Sequence, residues 1–201
     1  MARAADERRR ALRDTLIDLA EAEIEQNGIT AIKARQLAQA AGCSVGAIYN
    51  VFGDLEDIII AVNGRTFRKL GQFVAQALDG KGDLPPTERL VVMSYAYLDY
   101  AAAHPRLWRA LFDLQMSTDM DVPAWYLEEL GRLFSYIDGP VQECFPDMGA
   151  EEVSLMTRAL FSSIHGIVLL GLENRISGVP RDQIRNMIAL ILRSSTGNTA
   201  L

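Results

Sequence analysis

ARQLAQAAGCSVGAIYNVF, residues 34–52, is the stretch that decides how this chain folds. Two short helices joined by a turn need a small residue where they cross, a glycine in the turn, and apolar residues that pin the second helix to the first. Ala38 is the small residue, and Gly42 follows four positions later. Leu37, Ala41, Ile48 and Val51 are placed to do the pinning. This is helix-turn-helix spacing. Ser44 is the expected N-cap of the second helix, and Cys43, beside the turn, is expected to be a small buried hydrophobe. An Ala-x-x-x-Gly corner alone occurs in many helical bundles. Ile48 ten residues after Ala38, the capping serine and an outward Tyr49-Asn50 pair set this one apart.

The second helix is therefore expected to enter a DNA major groove. Its outward side carries Ser44, Val45, Gly46, Ala47, Tyr49 and Asn50. Small residues allow close approach. Ser44 and the free N–H groups at the helix start can meet phosphates. The Tyr49 hydroxyl can donate to a phosphate, and Asn50 can reach a base edge. Lys33 and Arg35, at the start of the preceding helix, are placed to contact the flanking strand.

Outward from this segment the pattern is helical throughout. Leu12, Leu16, Leu19, Ala20 and Ile24 line one face of a first helix over about 7–26, which Asn27-Gly28 ends. Asp54 and Asp57 open a long helix to about Leu78, where acids suit the dipole. DGKGDLPP, residues 79–86, is the expected boundary between a domain over 1–53, with the connecting helix 54–78, and a second over 79–201. Further helices are expected at about 87–103, 105–115, 124–145, 150–176 and 181–194, with Gly139-Pro140 kinking or splitting the third of these. No stretch shows the alternation of a strand, so the fold class is all-α.

The net charge is −6, but residues 1–53 hold seven bases and seven acids, so the whole excess lies beyond them. An acidic body therefore does not exclude a DNA-facing surface. Two cysteines, Cys43 and Cys144, allow neither a disulfide framework nor a zinc spacing. They fit a reducing, cytoplasmic setting. No signal peptide is expected from MARAADERRRALRD, since no apolar stretch follows the arginines. The apolar run Ala159–Leu172 is shorter than the roughly 20 residues of a membrane span and reads as a buried helix. His104 and His165 are the only histidines, and no metal pattern, phosphate-cradling loop or nucleophile elbow accompanies them. An enzyme is not expected, and neither is a cofactor or metal.

The second domain is rich in aromatic and methionine side chains. Trp108, Phe112, Met116, Trp125, Tyr126, Phe134 and His165 are the candidate lining of a small-molecule pocket. Each taken singly also fits an ordinary helical core. Ile184, Met187, Ile188 and Ile191 form an apolar stripe on the last helix, and Ile164 and Val168 lie on the apolar helix before it. These are the candidate dimer contacts, since a two-fold patch pairs with itself.

The stretch Ile29–Ile60, with its core L-A-x-x-A-G-x-S-x-G-x-I-Y-x-x-F-G-x-x-E-D-I from Leu37 to Ile58, resembles the N-terminal domain of TetR-family transcriptional regulators. HPRLWRALFD (104–113) and FSSIHGIVLLGLENRIS (161–177) resemble one of that family's C-terminal domain types. The resemblance implies an all-helical homodimer with a three-helix DNA-binding domain and a C-terminal ligand-binding and dimerisation domain, in which a small-molecule effector releases double-stranded DNA. Two positions depart from the family's pattern. Leu55 stands where a lysine is common at the start of the fourth helix, and Lys33 stands where Ser or Thr commonly caps the second. Leu55 leaves room for another reading, a helical lipid- or small-molecule-binding protein whose DNA-binding motif is vestigial.

Overall fold

The computed structural model describes residues 2–114, 122–173 and 180–197. Its helices are α1 (Ala2–Asn27), α2 (Ala34–Ala40), α3 (Val45–Tyr49), α4 (Leu55–Leu78), α5 (Pro86–Ala103), α6 (Pro105–Asp113), α7 (Ala124–Cys144), α8 (Ala150–Leu172) and α9 (Ile184–Thr196). Two 3-10 turns, Ile29–Ala31 and Arg181–Gln183, precede α2 and α9. There is no strand among the described residues, so the fold is all-α.

Most element ends fall within a few residues of the sequence expectation, and the exceptions have local causes. α1 begins at Ala2, five residues early, because alanine and arginine are strong helix formers and nothing before Glu7 breaks the pattern. It ends where Gly28 adopts φ 84°. α7 runs as one element through Pro140, where a kink or split was expected. α9 starts three residues late, after the 3-10 turn. The expected extension of α8 to 176 reaches beyond the described residues.

The described chain forms two compact units, residues 1–68 with 104–126 and residues 69–103 with 127–201. The division differs from a boundary at 79–86 in two ways. It falls within α4, and it returns α6 to the first unit. The reason is packing. α6 contributes Leu107 and Ala110 to a core shared with Leu16, Ala20 and Ile24 of α1, Leu37 and Ala38 of α2, Ile48 of α3, and Ile58 and Val62 of α4. Burial of each large aliphatic side chain contributes about 1.5–3 kcal/mol. Asn63 of α4 fastens α6 further, donating from its side-chain amide to the Ala110 carbonyl oxygen at 2.9 Å.

In the second unit α5 lies against α8 and α9. The Arg193 guanidinium forks onto both Glu88 oxygens at 2.7 and 2.9 Å. Arg185 pairs with Asp99 and stacks over Tyr95 at 4.7 Å. Thr87 and Thr196 hydroxyls meet at 2.8 Å. α8 is long and apolar enough to cross a membrane by length and composition alone. Only one stripe of it, Val153, Thr157, Leu160, Ile164, Val168 and Gly171, is buried in the chain. The expectation of a buried helix holds for that stripe and not for the opposite face, where Leu155 and Leu170 are exposed.

Candidate nucleic-acid interface

The helix-turn-helix is built by its turn. Gly42 sits at φ 64°, a left-handed conformation that costs a glycine little. Its N–H donates to the Gln39 carbonyl oxygen at 3.2 Å, and the Cys43 N–H donates to that of Ala38 at 2.9 Å. Together these are the paired bonds of a Schellman motif, and they close α2. Cys43 is half-buried against the core rather than fully buried. Ser44 then caps α3, its Oγ accepting from the Ala47 N–H at 3.2 Å. Ile48, wholly buried, anchors α3 from below.

That anchoring turns the rest of α3 outward. Ser44, Gly46, Tyr49 and Asn50 are exposed, with Tyr49 47% accessible, while Val45 and Ala47 are half-buried at the margin. Lys33 and Arg35 are exposed at the start of α2. Lys33 occupies the N-cap with no side-chain cap bond, as its cationic side chain requires. Of the eight residues expected to face DNA, six lie on one short helix and its two caps, and Lys33 and Arg35 lie at the start of the helix before it.

The start of α4 is fixed by carboxylates. Asp54 Oδ1 accepts from the Asp57 N–H at 2.8 Å, and Asp57 Oδ2 accepts from the Gly53 N–H at 2.8 Å. Leu55 is half-buried and packs on the core. The position that departs from the family's lysine thus serves packing. Further along, Arg65 pairs with Asp18 and lies 3.5 Å from Glu21. Burial lowers the Arg65 pKa, and hydrogen bonds and charge from Asp18 and then Glu21 outweigh it, so the net shift is upward. The sequence reading missed Arg65, because an arginine about two turns beyond the motif's last position, Ile58, resembles solvated surface.

The candidate pocket residues fall in two groups. Trp108, Phe112, Trp125 and Tyr126 belong to the first unit, and Phe134 and His165 to the second. Met116 lies outside the described residues. In the first unit Trp108 is fully buried, and Tyr126 packs edge-on to Phe67 with centroids 5.3 Å apart. Burial pushes the Tyr126 phenol up, and a hydrogen bond from Asn63 partly offsets this. In the second unit the Tyr97 hydroxyl meets His165 Nδ1 at 2.8 Å, and the Phe161 ring stacks on His165 at 5.8 Å. Phe134 meets Phe161 edge-on at 5.1 Å. Burial lowers the His165 pKa. Thr157 is buried one turn before Phe161, and its hydroxyl makes no hydrogen bond in the described structure. Tyr97, Phe161 and Thr157 were not singled out in the sequence, where a Tyr in α5 and a Phe in α8 look like any core residue.

The candidate dimer contacts also divide. Ile164, Val168, Ile184 and Ile188 are buried within the chain's own second unit. Ile188, for example, has no exposed surface. Met187 is half-buried and Ile191 is exposed. The apolar stripe read from the sequence is thus largely the inward one. The outward faces of the same helices carry Leu155 and Leu190, each 68% exposed, together with Leu170.

Comparison with known proteins adds to this geometry. Residues 16–62 match the family described as bacterial regulatory proteins, tetR family, and residues 90–194 match the tetracyclin repressor-like C-terminal domain. No curated protein matches the chain. Among solved structures, a protein of unknown function from Rhodococcus sp. RHA1 aligns with a TM-score of 0.74 at 22% identity, covering 92% of this chain and 95% of the other. RolR in complex with resorcinol aligns with a TM-score of 0.71 at 21% identity, over 97% and 92% of the two chains. FadR from Bacillus subtilis in complex with stearoyl-CoA aligns with a TM-score of 0.64 at 22% identity, over 89% and 96%. At such identities the likeness is one of fold.

Proposed function

The chain belongs to the TetR family of bacterial transcription regulators, and from that membership we propose that it is a ligand-responsive repressor. On this reading a cytoplasmic homodimer holds a palindromic operator and releases it when a small apolar or amphipathic effector binds. Its work is binding, not catalysis. The observation that carries the reading is α3, a capped helix anchored by Ile48 with Tyr49 and Asn50 facing out.

The effector site is proposed around Tyr97, Phe134, Phe161 and His165. One hydrogen-bonding pair set among aromatic faces suits a ligand with a large apolar part and a polar group. The similar structures of RolR, with resorcinol, and FadR, with stearoyl-CoA, support a small-molecule site in this fold, since each of those ligands combines an apolar part with a polar group. The dimer is proposed through the outward faces of α8 and α9, since Leu155, Leu170, Leu190 and Ile191 are exposed there. A face of that kind, self-paired across a two-fold axis, matches a two-fold operator.

The test is selection of genomic fragments by ligand-free protein. The reading expects enrichment of one palindromic site, bound with an affinity that falls steeply with salt. Enrichment of no common site would overturn it. The vestigial-motif alternative draws on Leu55, whose place in the core removes one phosphate-binding cation. That alternative expects effector binding with no DNA shift at any salt concentration.

A further inference from the structure

The charges of α1 run against its dipole. Residues 1–13 hold five arginines and two acids, net +3 (5 − 2), whereas residues 14–28 hold five acids and no base, net −5. A helix carries partial positive charge at its N-terminus and partial negative charge at its C-terminus, so both ends bear the unfavourable sign.

The fold relieves only one end. Arg65 reaches Asp18 and Glu21. His104 lies 3.2 Å from the Glu25 carboxylate, and Arg106 donates to the Glu25 carbonyl oxygen in the last turn at 3.2 Å. At the other end Arg3 has only Glu7, one turn along the exposed surface. Arg8, Arg9, Arg10 and Arg13 have no carboxylate or carbonyl partner among the described residues. Arg13 instead lies over the Phe52 ring, 5.2 Å from its centroid. Phe52 is three residues beyond Tyr49.

That stacking fixes where the arginines stand. Positions 9, 13, 16, 20 and 24 step by four, three, four and four, which is one stripe of a helix. Leu16, Ala20 and Ile24 of that stripe are fully buried under the helix-turn-helix. Arg13 continues it beside the end of α3, and Arg9 and Arg10 continue it one turn further, past the core. We propose that Arg9, Arg10 and Arg13 form a phosphate-binding arm that grips the DNA backbone next to the segment read by α3. Their guanidinium forks suit phosphate oxygens, and stacking on Phe52 holds Arg13 in place before DNA arrives. The arm supplies the cations that position 55, given over to packing, does not.

The inference rests on the DNA-binding reading, and its test separates the two. The probe is sheared double-stranded DNA of mixed sequence, titrated over a range of salt, because such binding is the electrostatic contribution alone. The R9Q/R10Q variant leaves the Phe52 stack and the core intact and removes two cations that oppose the helix dipole, so its melting temperature does not fall below the wild-type value. Its salt slope is expected to fall by about 0.9 for each phosphate that the protein no longer neutralises, and its low-salt affinity by about tenfold or more. R13Q is expected to lower the slope likewise. A wild-type slope and affinity in R9Q/R10Q would overturn the arm while leaving α3 as the DNA-binding element. Absence of any low-salt binding by the wild type would overturn the DNA-binding reading itself.

Discussion

Asn63, with no exposed surface, holds the backbone carbonyl oxygen of Ala110 at 2.9 Å. This single bond joins α4 to α6 inside the first unit, and it is a polar link among apolar neighbours that the motif would never suggest. Asn63→Ala would leave the Ala110 carbonyl without its donor and open a small void. The expected loss is about 1–3 kcal/mol in chemical denaturation, from a buried acceptor left unpaired. A wild-type denaturation midpoint would mean that water replaces the amide.

Gly64 lies under the indole of Trp125, and a Cβ added there would stand 2.5 Å from the ring. Gly64→Ala therefore has to displace Trp125, whose ring is already part-exposed. The expected result is a red-shifted tryptophan emission with a cost of about 1–3 kcal/mol, the usual range for overpacking. Unchanged emission would show that the backbone yields instead.

Tyr49→Ala and Ser44→Ala should separate recognition from folding. Tyr49 is exposed on the outward side of α3, so its loss should weaken operator binding by about 1–2 kcal/mol at wild-type stability. Ser44 caps α3, so its loss should cost about 1 kcal/mol of stability as well as affinity. Equal melting temperatures for the two variants would contradict this division.

The proposed dimer is tested at Leu190, because Ile188 is wholly buried and a lysine there would disrupt the fold before it disrupted assembly. Leu190→Glu, on the outward face of α9, should give a folded chain that sediments as a monomer and binds the operator poorly. Wild type sedimenting at 22.2 kDa at micromolar concentration would remove the dimer altogether.

His165 supplies a pH dependence. Burial lowers its pKa from the ordinary 6.5, so the folded state binds the proton less well than the unfolded chain. Its contribution to stability is therefore full above 6.5 and is lost as the pH falls from there through the lower folded value. His165→Gln should flatten this part of the stability profile, measured by denaturant midpoints. An unchanged acid slope in the variant would assign the dependence to other groups.

The helix-turn-helix was legible because its requirements are local. Ala38, Gly42, Ser44 and Ile48 each answer a steric or hydrogen-bonding need within about ten residues of one another. The second unit was less legible because amphipathicity names an apolar stripe without naming what covers it. Ile184 and Ile188 looked like a surface for a partner, yet both are buried within the same chain, where α9 packs against α5 and α8. Their neighbours Leu190 and Ile191, only two or three positions from Ile188, were left outside. The aromatic set failed for a related reason. Trp108 and His165 are both conspicuous residues in a helical stretch, but composition cannot assign them to different units. Asn63 and Arg65 had no signal at all, since their partners lie 47 residues away at Ala110 and Asp18.

Leu107 and Ala110 complete a core whose other members lie before residue 63. Any recombination that treats the amino-terminal third as a cassette would cut it away from part of its own interior. A chimera joined in the loop at 79–86 would carry α1 to α4 with a gap where α6 belongs, and its solubility would depend on whether the new body happened to fill that gap. A graft that also carries residues 104–114 would keep the interior whole. On the proposed DNA-binding reading, a change of sequence specificity by itself is more readily reached through substitutions on α3 than through exchange of the domain.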